Sequence, residues 1–401
     1  MSPHFSSLDT LFSGSPSISW DTDYLSQGCA VPTQMDLPSE ALVRQLIDTY
    51  LANINNVIPL VDPQELSRKV DRWYSNPTQR SRTTWAVINV VMGMAQYCSF
   101  GQVGLRYPDS SVGSVTDCLN KAQSVLTEIL MGDASLANLQ VVLGLVIIFQ
   151  GTSDVKPAVF LMATAVRLSQ VLGLHRSDSE CYGNDPPRDA LQRRRVFWIA
   201  YILDRDIAVR IAQAPILQDR DINIELPPMK PDADAAGFLS TPGLQQDGFN
   251  VFRARVELSQ IQGKLYDSLF SVRSQLQSPG EKAASYQALR LLLKDWDGRI
   301  PTTLRAKALS QSQSYLPYIP SLFCTMYGTV LTCLGQLCQV NSMDFRWLDQ
   351  LRHYGRSITT GLDEPCIPPP QPQGWNALVN HCREFMSLFT SIQNRGPAFI
   401  W

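Results

Sequence analysis

The chain has 401 residues, enough to bury a large core, and its 44% hydrophobic and 17% charged residues are a globular composition. Its formal net charge of −2 argues against a general positive field that would collect nucleic acid. The nine cysteines are an odd number without a C-x-x-C pair, and the opening MSPHFSSLDTLFSG lacks the basic start and apolar core of a secretory signal. We therefore expect reduced thiols in an intracellular protein.

The first predicted elements follow a polar opening. Residues 1–36 are rich in Ser, Pro, Thr and Asp and have no hydrophobic period, which predicts a disordered tail ahead of one helical domain over residues 37–401. Ser39 is placed to cap a first helix, whose apolar residues recur at helical spacing as far as Ile54. The run DPQE at residues 62–65 combines a cap, a first-turn proline and a capping-box acid, so a second helix should begin there.

The next segments continue the helical pattern. A third apolar helix is predicted over Thr84–Tyr97, followed by a Gly-rich loop over Phe100–Gly113. The capping-box pattern at 114–117 opens a helix that we expect to reach Met131, and Leu136–Phe149 is apolar all round, as a central helix is. Helices joined by loops of a few residues predict an all-α fold, a layered multi-helix bundle.

The segment from Pro157 to Pro227 organises the rest of the chain. Its first helix starts near Asp154 and stops at Gly173, and its second, Arg193–Arg210, is apolar almost all round with polar groups among the apolar residues. Buried charges must be paired and hydrogen-bonded. We therefore expect an internal polar network or pocket drawn from His175, Arg194, Tyr201, Asp204 and Arg205. Fixing the packing of the helices is the favoured role for it, and a ligand or switch site is the alternative.

The C-terminal half is predicted to extend the bundle. Residues 229–248 have the composition of a flexible surface loop, Phe249–Leu276 is predicted as one long helix, and Ser278 opens the next. The uncharged helix around Leu322–Val340 is interpreted as a buried bundle helix, since prolines, glycines and polar residues interrupt the uncharged stretch. The last predicted elements are the helix Phe345–Thr359, a Pro-rich loop over Pro365–Pro372 and the helix Trp375–Ile392.

No motif in the sequence indicates catalysis or a metal site. Phosphate-binding, dinucleotide-binding, nucleophile-elbow and zinc-protease motifs are absent, and the four histidines are scattered. Cys333 and Cys338 are five residues apart, a poor metal pair on a straight helix. The basic cluster Arg193–Arg195 has apolar core residues as neighbours. We therefore predict no catalytic, cofactor-binding or metal-binding residue, no direct nucleic-acid binding by this chain and no membrane span.

Three runs of residues carry a resemblance to a known family. LGLHR at 172–176, RRRVFWIAYILDRD at 193–206 and ILQDRDINIELP at 216–227 resemble the fungal-specific transcription-factor domain, the middle homology region of fungal binuclear zinc-cluster regulators. The opening LPSEALVRQLIDTYLANINNVIPLVDPQEL at 37–66 is similar to the start of the same domain. One departure is the turn Gln213-Ala214-Pro215, where family members usually have a Gly-Arg-Pro-like sequence.

The resemblance implies stacked antiparallel helical hairpins that restrain or relay the activity of a transcriptional regulator in the nucleus. The regulated genes would belong to a fungal pathway or a secondary-metabolite gene cluster. The six-cysteine cluster that reads DNA in such regulators does not occur in these 401 residues. DNA contact is therefore expected from a zinc-cluster partner or from an upstream exon, with a small molecule as a further candidate effector. The apolar ending at residues 399–401 suggests a domain that is short at its C-terminal edge.

Two other hypotheses remain open at this point. One is an enzyme or small-molecule-binding protein that uses the helical scaffold to bind an apolar metabolite, with His175, Tyr201, Asp204 and Arg205 as the first candidates. A pocket lined by these side chains would favour it. The other is a dominant-negative partner that dimerises with a full-length zinc-cluster regulator, which co-purification of the two proteins would favour.

Overall fold

The computed structural model describes residues 35–99, 114–152, 154–177, 187–230, 235–239, 248–311, 318–342, 345–360 and 374–392. Within these ranges the regular secondary structure is helical apart from one pair of two-residue strands, so the prediction of an all-α fold is confirmed. The helices of the N-terminal half are α1 (Glu40–Tyr50), α2 (Pro63–Ser75), α3 (Arg82–Ser99), α4 (Val115–Gln123), α5 (Leu126–Met131), α6 (Leu136–Gln150), α7 (Lys156–Val171) and α8 (Pro187–Arg210).

The C-terminal half begins with the strands β1 (Phe238–Leu239) and β2 (Phe249–Asn250), which pair antiparallel. Single π-helical turns, Leu51–Asn55 and Tyr266–Phe270, follow α1 and α9. The helices of this half are α9 (Val251–Leu265), α10 (Val272–Gln275), α11 (Pro279–Gly298), α12 (Ala306–Gln311), α13 (Tyr318–Ser342), α14 (Phe345–Thr360) and α15 (Trp375–Ser391).

The helix starts show why these segments fold locally as they do. The Asp62 carboxylate accepts the backbone N–H of Glu65 at 2.8 Å, and Ser114 and Ser278 each form a reciprocal capping box. Such caps satisfy backbone donors that the first helical turn leaves unpaired. Ser39 lies at the predicted cap position of α1, but its side chain makes no cap hydrogen bond there. The DPQE and capping-box predictions are therefore confirmed, and α1 begins without side-chain support.

The apolar residues form two clusters, one in each half of the chain. The first joins α1 to α8, and its centre is α6, which is buried at every position from Asn138 to Gln150, as predicted for this helix. The second joins α9, α11, α12, α13 and α15. The clusters meet where Phe252 of α9 packs into the first and Val57, after α1, packs into the second. The region between the clusters is therefore bounded by helices from both halves of the chain.

Two predicted helices are interrupted. The helix expected to run to Met131 is divided into α4 and α5 by a turn at Ser124 and Val125, where the Ser124 hydroxyl donates to the carbonyl of Lys121 at 2.7 Å. The helix expected over Phe249–Leu276 passes through the second π-helical turn and stops at Ser271. Ser271 is extended and caps α10 through the N–H of Ser274, which explains the second interruption.

The prediction of a surface loop over residues 229–248 is wrong for its middle. Phe238 and Leu239 are buried and pair with β2. Gly237 and Gly248 flank this pairing with φ of +85° and +72°, a region that glycine enters without steric cost. A Cβ at Gly237 would also lie 2.8 Å from the Cβ of Phe252. Gly237 and Gly248 thus allow β1 and β2 to pair beside the start of α9.

Some predictions concern segments outside the described residues: the disordered tail up to residue 34, the Gly-rich loop Phe100–Gly113 and the Pro-rich loop Pro365–Pro372. One described segment, Ile319–Cys338 of α13, is long and apolar enough to cross a membrane by length and composition alone. Half of it is buried inside the protein, and the core helix of a bundle passes the same test.

Candidate functional site

The middle of α8 is enclosed on all sides. Every residue from Arg195 to Arg205 is buried, and Trp198 makes edge-to-face contacts with Phe197 at 5.5 Å and Tyr201 at 5.4 Å between ring centroids. The indole N–H of Trp198 donates to the carbonyl oxygen of Glu225 at 2.9 Å. Glu225 belongs to the extended segment (residues 214–227) that follows α8, so this segment folds back along the helix that precedes it.

Asp204 holds the start of the extended segment. Its carboxylate accepts the backbone N–H of Ile216 at 3.0 Å, that of Leu217 at 2.9 Å and Nη1 of Arg205 at 2.8 Å. Burial raises the pKa of the Asp204 carboxyl, while Arg205 and the two backbone donors oppose the rise. Asp204 thus gives hydrogen-bond partners to two backbone donors of a segment whose regular secondary structure is one 3-10 turn, Asp219–Asp221.

Arg205 connects this carboxylate to a second one. Its Nη2 bonds Oδ1 of Asp219 at 2.7 Å, and its guanidinium lies 4.3 Å from the ring centroid of Tyr201, a cation–π contact. The Tyr201 hydroxyl donates to the same Asp219 oxygen at 2.7 Å. Although burial lowers the pKa of Arg205, Tyr201 and the two carboxylates raise it above its ordinary value. Arg205 therefore remains charged. These four residues, Tyr201, Asp204, Arg205 and Asp219, are termed the α8 network below.

The α8 network is open to solvent at one end. Arg205 and Asp204 have side chains that are 3% exposed, whereas that of Asp219 is 38% exposed. Nearby Asp267, after α9, has a raised pKa because of partial burial and the negative charge of Asp219. The network therefore runs from a fully buried ion pair to an acidic patch on the surface. The extended segment forms its outer wall.

A glycine of α9 makes room for the buried arginine. A Cβ built on Gly263 would lie 2.9 Å from Nε of Arg205 and 3.4 Å from Oδ2 of Asp219. Real Cβ atoms do not approach other heavy atoms within 3.0 Å, so α9 packs this closely against α8 only because residue 263 lacks a side chain. The sequence shows a glycine within a helical pattern, and such a glycine is a sign of close packing.

The Gly263→Ala variant is expected to lower the free energy of unfolding by about 1–2 kcal/mol. Overpacking costs about 1–3 kcal/mol, and the better helix propensity of alanine offsets up to about 1 kcal/mol of it. Urea denaturation of the purified protein measures the change. The matched control is Gly335→Ala in α13, where an added Cβ meets no atom within 4 Å and stability should rise. A Gly263→Ala variant as stable as this control would contradict the close packing of residue 263 against Arg205.

The turn between α8 and the extended segment is strained at one residue. Ala212 has a φ of +52° and is exposed, and the N–H of Gln213 closes the helix end on the carbonyl of Ala208 at 3.0 Å. The position after a helix commonly holds glycine, because other residues pay about 1–2 kcal/mol in the left-handed region.

We expect Ala212→Gly to raise the free energy of unfolding by about 0.5–1 kcal/mol, since relief of strain exceeds the added backbone entropy of the unfolded chain. Thermal and urea denaturation are the measurements. Ala214→Gly in the same turn is the matched control, because residue 214 has no positive φ, and it should lower stability slightly. Equal losses from both substitutions would rule out strain at residue 212.

The structure places the five sequence-predicted site residues in two groups. Tyr201, Asp204 and Arg205 come together in the α8 network, whereas the other two contact the extended segment elsewhere. The carbonyl of His175 accepts the N–H of Asn223 at 3.2 Å, and Arg194 pairs with Glu225 at 3.3 Å on the surface. All five residues therefore either contact the extended segment or contact a residue that binds it.

A second ion pair joins α8 to α9, and the sequence analysis did not single it out. Nη2 of Arg255 contacts both carboxylate oxygens of Asp206, with 2.5 Å to Oδ1, and Gln262 adds a hydrogen bond of 3.3 Å to the same Oδ1. Arg255 and Gln262 are seven residues apart, two turns along one face of α9. Two polar residues at that spacing among the apolar residues of α9 are the sequence signal from which this contact could have been predicted.

A cavity of about 70 Å³ lies beside this pair, between the two apolar clusters. Arg255 lines it together with apolar residues of both halves, among them Ile199 and Ile202 of α8, Met94 of α3 and Met326 of α13. The α8 network and His175 are not part of its lining. This cavity is therefore not the pocket, lined by those side chains, that would have favoured the enzyme hypothesis. Among the described residues, no group of three or more His, Cys, Asp or Glu side chains is arranged to hold a metal ion.

Comparisons with known proteins agree on one family. A profile described as the fungal specific transcription factor domain matches residues 47–298. An ABC-transporter-regulating transcription factor of Aspergillus fumigatus is 31% identical over 387 residues, and its Aspergillus oryzae counterpart is 30% identical; each alignment covers 95% of this chain and 42% of the relative. The Fusaridione A cluster transcription factor of Fusarium heterosporum is 25% identical over 67% of this chain and 49% of its own length. No solved structure matches.

Proposed function

The chain belongs to the family of the fungal specific transcription factor domain, and on this premise we propose that it regulates transcription through its helical body from residue 37 onward. The observation that supports the proposal is the family match over residues 47–298, which includes α8, the extended segment and the α8 network. The chain spans 42% of the length of the two Aspergillus relatives, whose remaining length has no counterpart in this alignment.

We further propose a nuclear protein that acts through protein partners, one of them a zinc-cluster protein that contacts DNA. Two relatives are named for regulating ABC transporters and the fusaridione A cluster. By analogy, the target genes proposed for this chain belong to small-molecule export or to a secondary-metabolite pathway. The arrangement of α8 supports a regulatory role in physical terms. An extended segment held by a discrete ion-pair network with one solvent-exposed end offers two arrangements, held and released, as a two-state element requires.

A reporter assay tests the proposal. Residues 1–401 are fused to a heterologous DNA-binding domain and expressed with a reporter of intermediate basal activity, so that activation and repression are both visible. The expected result is a several-fold change relative to the DNA-binding domain alone. The same DNA-binding domain fused to an unrelated helical protein of similar size is the control. No change at equal nuclear levels of the two fusions would overturn the proposal.

A second assay addresses the partner. Pull-down of the tagged chain from nuclear extract of its own host should recover a protein with a six-cysteine zinc cluster. Repeating the pull-down with variants that each change one exposed side chain would then locate the interface with this partner. If the tagged chain is recovered as a monomer with no other protein, the partner proposal is contradicted. The proposal that the chain regulates transcription would still hold if the reporter fusion is active.

A further inference from the structure

Helix α14 is amphipathic, and its apolar face lies outside both apolar clusters. In the sequence, Trp347, Leu351, Tyr354 and Ile358 recur at spacings of four, three and four residues, the pattern of one helix face. Leu351 is 38% exposed and Ile358 is 62% exposed, and neither they nor Tyr354 belong to either cluster. No other described helix or strand packs extensively against α14. An apolar helix face is normally buried against a partner, so this face is a surface for one.

The charges of α14 indicate which kind of partner fits. The helix carries arginines at 346, 352 and 356 and a single acid, Asp349. The side chain of Arg352 is 71% exposed, with its Nη1 3.4 Å from Oδ1 of Asp349, and Arg356 is also exposed. Two copies of α14 packed together would bring arginines close to arginines, and like charges oppose association. The charge pattern therefore favours an acidic partner with apolar side chains.

The N-terminal part of this chain has that chemistry. Residues 1–34 contain three aspartates and no Lys, Arg or Glu. The aspartates lie among apolar and aromatic side chains in the runs FSSLDTLF and WDTDYL, which begin and end the acidic segment (residues 5–25). Phe5, Leu8 and Phe12 have the three- and four-residue spacing by which a short helix presents anchors to an apolar surface. The acidic segment thus complements α14 in both charge and apolar content.

The tether of the acidic segment is long enough for this contact. The carbonyl of Asp36 accepts the indole N–H of Trp85 at 3.0 Å, which fixes the chain beside α3. From there the backbone can extend as far as Phe12 over about 80 Å at about 3.4 Å per residue. A compact chain of 401 residues has a radius of gyration of about 21 Å, so every face of the protein is within reach. Tethering also raises the effective concentration of the segment at α14.

We propose that the acidic segment docks on α14 of the same chain. Its apolar and aromatic side chains cover Leu351 and Ile358, and its aspartates lie near Arg352 and Arg356. While docked, the segment is withheld from other proteins, so a partner that binds it must first displace it from α14. This goes beyond the proposed function, because the family match runs from residue 47 to residue 298 and includes neither the acidic segment nor α14.

Photochemical cross-linking in the full chain tests the contact. Phe12 is replaced by the photoreactive residue p-benzoylphenylalanine, and an equal mixture of ¹⁴N-labelled and ¹⁵N-labelled protein is irradiated. Mass spectrometry of the digested product identifies the cross-linked peptides and the isotope of each. The expected product joins the peptide of residue 12 to a peptide from residues 345–360. Both peptides should carry the same isotope, because the contact lies within one chain.

Charge reversal and its rescue test whether the arginines hold the acidic segment. Arg352→Glu combined with Arg356→Glu should lower the cross-link yield at least about fivefold, because attraction to the aspartates becomes repulsion. Adding Asp9→Lys, Asp21→Lys and Asp23→Lys to this variant should restore at least about half of the wild-type yield, because the charges are again opposite. A structural role of the arginines within α14 would not be rescued from the N-terminal segment.

Matched surface variants serve as controls. Arg290→Glu combined with Lys294→Glu reverses two exposed cations at the same spacing on α11 and should leave the yield within about twofold, since they lie outside the docking surface. Ile358→Ser should lower the yield at least about threefold, because docking then buries less apolar area. Val272→Ser changes a side chain on α10 that is 78% exposed and should have no such effect. All these positions are exposed, so each variant is expected to keep the wild-type circular dichroism spectrum.

Several results would overturn the proposal. Absence of a cross-link to residues 345–360 would exclude the contact, and cross-links between different isotopes would assign the docked segment to a second copy. A yield that the charge variants leave unchanged would remove the arginines from the surface. A basic amphipathic helix also fits an anionic lipid surface. Sedimentation of the full chain with phosphatidylserine vesicles, lost in Ile358→Ser and without any cross-link, would assign α14 to lipid instead. The reporter assay is independent of these measurements, so either proposal can fail alone.

Discussion

Replacing Asp204 with alanine is expected to lower the free energy of unfolding by about 3–5 kcal/mol, the usual range when one partner of a buried ion pair is removed. Three hydrogen bonds end on this carboxylate, two of them from the backbone of Ile216 and Leu217. The substitution leaves those backbone donors without their acceptor and Arg205 with only Asp219. Urea denaturation monitored by far-UV circular dichroism gives the loss.

The loss should be accompanied by a local change. Limited proteolysis is expected to cut the extended segment (residues 214–227) faster in Asp204→Ala than in the wild-type protein under native conditions, because the start of that segment is no longer held. Asp221→Ala is the matched control, since Asp221 lies in the same segment and is exposed. Wild-type stability in Asp204→Ala would show that the pair is dispensable for the fold.

A second variant separates lost contacts from uncompensated charge. Asp204→Leu combined with Arg205→Met replaces both buried charges by apolar side chains of similar size. Such replacements are often neutral or better than the single substitution, because no charge is left buried alone. We expect the double variant to be more stable than Asp204→Ala while still exposing the extended segment to protease. A double variant that protects the segment as well as the wild type would remove Asp204 from the mechanism that holds it.

The fold could be predicted from the sequence wherever a local rule decides the outcome. Helical periodicity and the caps at Asp62, Ser114 and Ser278 depend on residues within one or two turns, and those helices begin where predicted. The sequence analysis did not predict the interruptions at Val125 and Ser271, because the apolar spacing continues through them. The turns at these residues depend on tertiary packing. Local propensity is overridden at such points.

The site was predictable within one helix and not between helices. The spacing of Tyr201, Asp204 and Arg205 on a buried helix implied that they need partners, and Asp219 lies close enough in sequence to provide one. The contributions of α9 come from about 50 residues further along the chain. Nothing in the local pattern shows that Gly263 faces Arg205 or that Arg255 faces Asp206. The pairing of helices is determined by the packing of the whole core. The role of the α8 network stays a prediction that the variants above test.

Helices α3 and α6 are tightly packed at Gly144, and this contact leads to the second large expected effect. A Cβ built on Gly144 of α6 would lie 2.2 Å from Cγ1 of Val90 of α3 and 3.5 Å from Cε of Met94. Gly144→Ala therefore cannot be accommodated unless α3 moves or Val90 adopts a strained rotamer. The helix propensity of alanine recovers only about 1 kcal/mol. We expect a net loss of about 2–3 kcal/mol of unfolding free energy in urea denaturation, since overpacking in a dense core is poorly relieved.

A double-mutant cycle identifies the cause of that loss. Val90→Ala removes the clashing methyl groups and should cost about 2 kcal/mol or less on its own, and in the Gly144→Ala background it should restore stability instead of lowering it further. Gly355→Ala in α14, where an added Cβ meets no atom within 4 Å, is the control and should be neutral or stabilising. Additive losses in the cycle would mean that the methyl groups of Val90 are not the cause of the loss in Gly144→Ala.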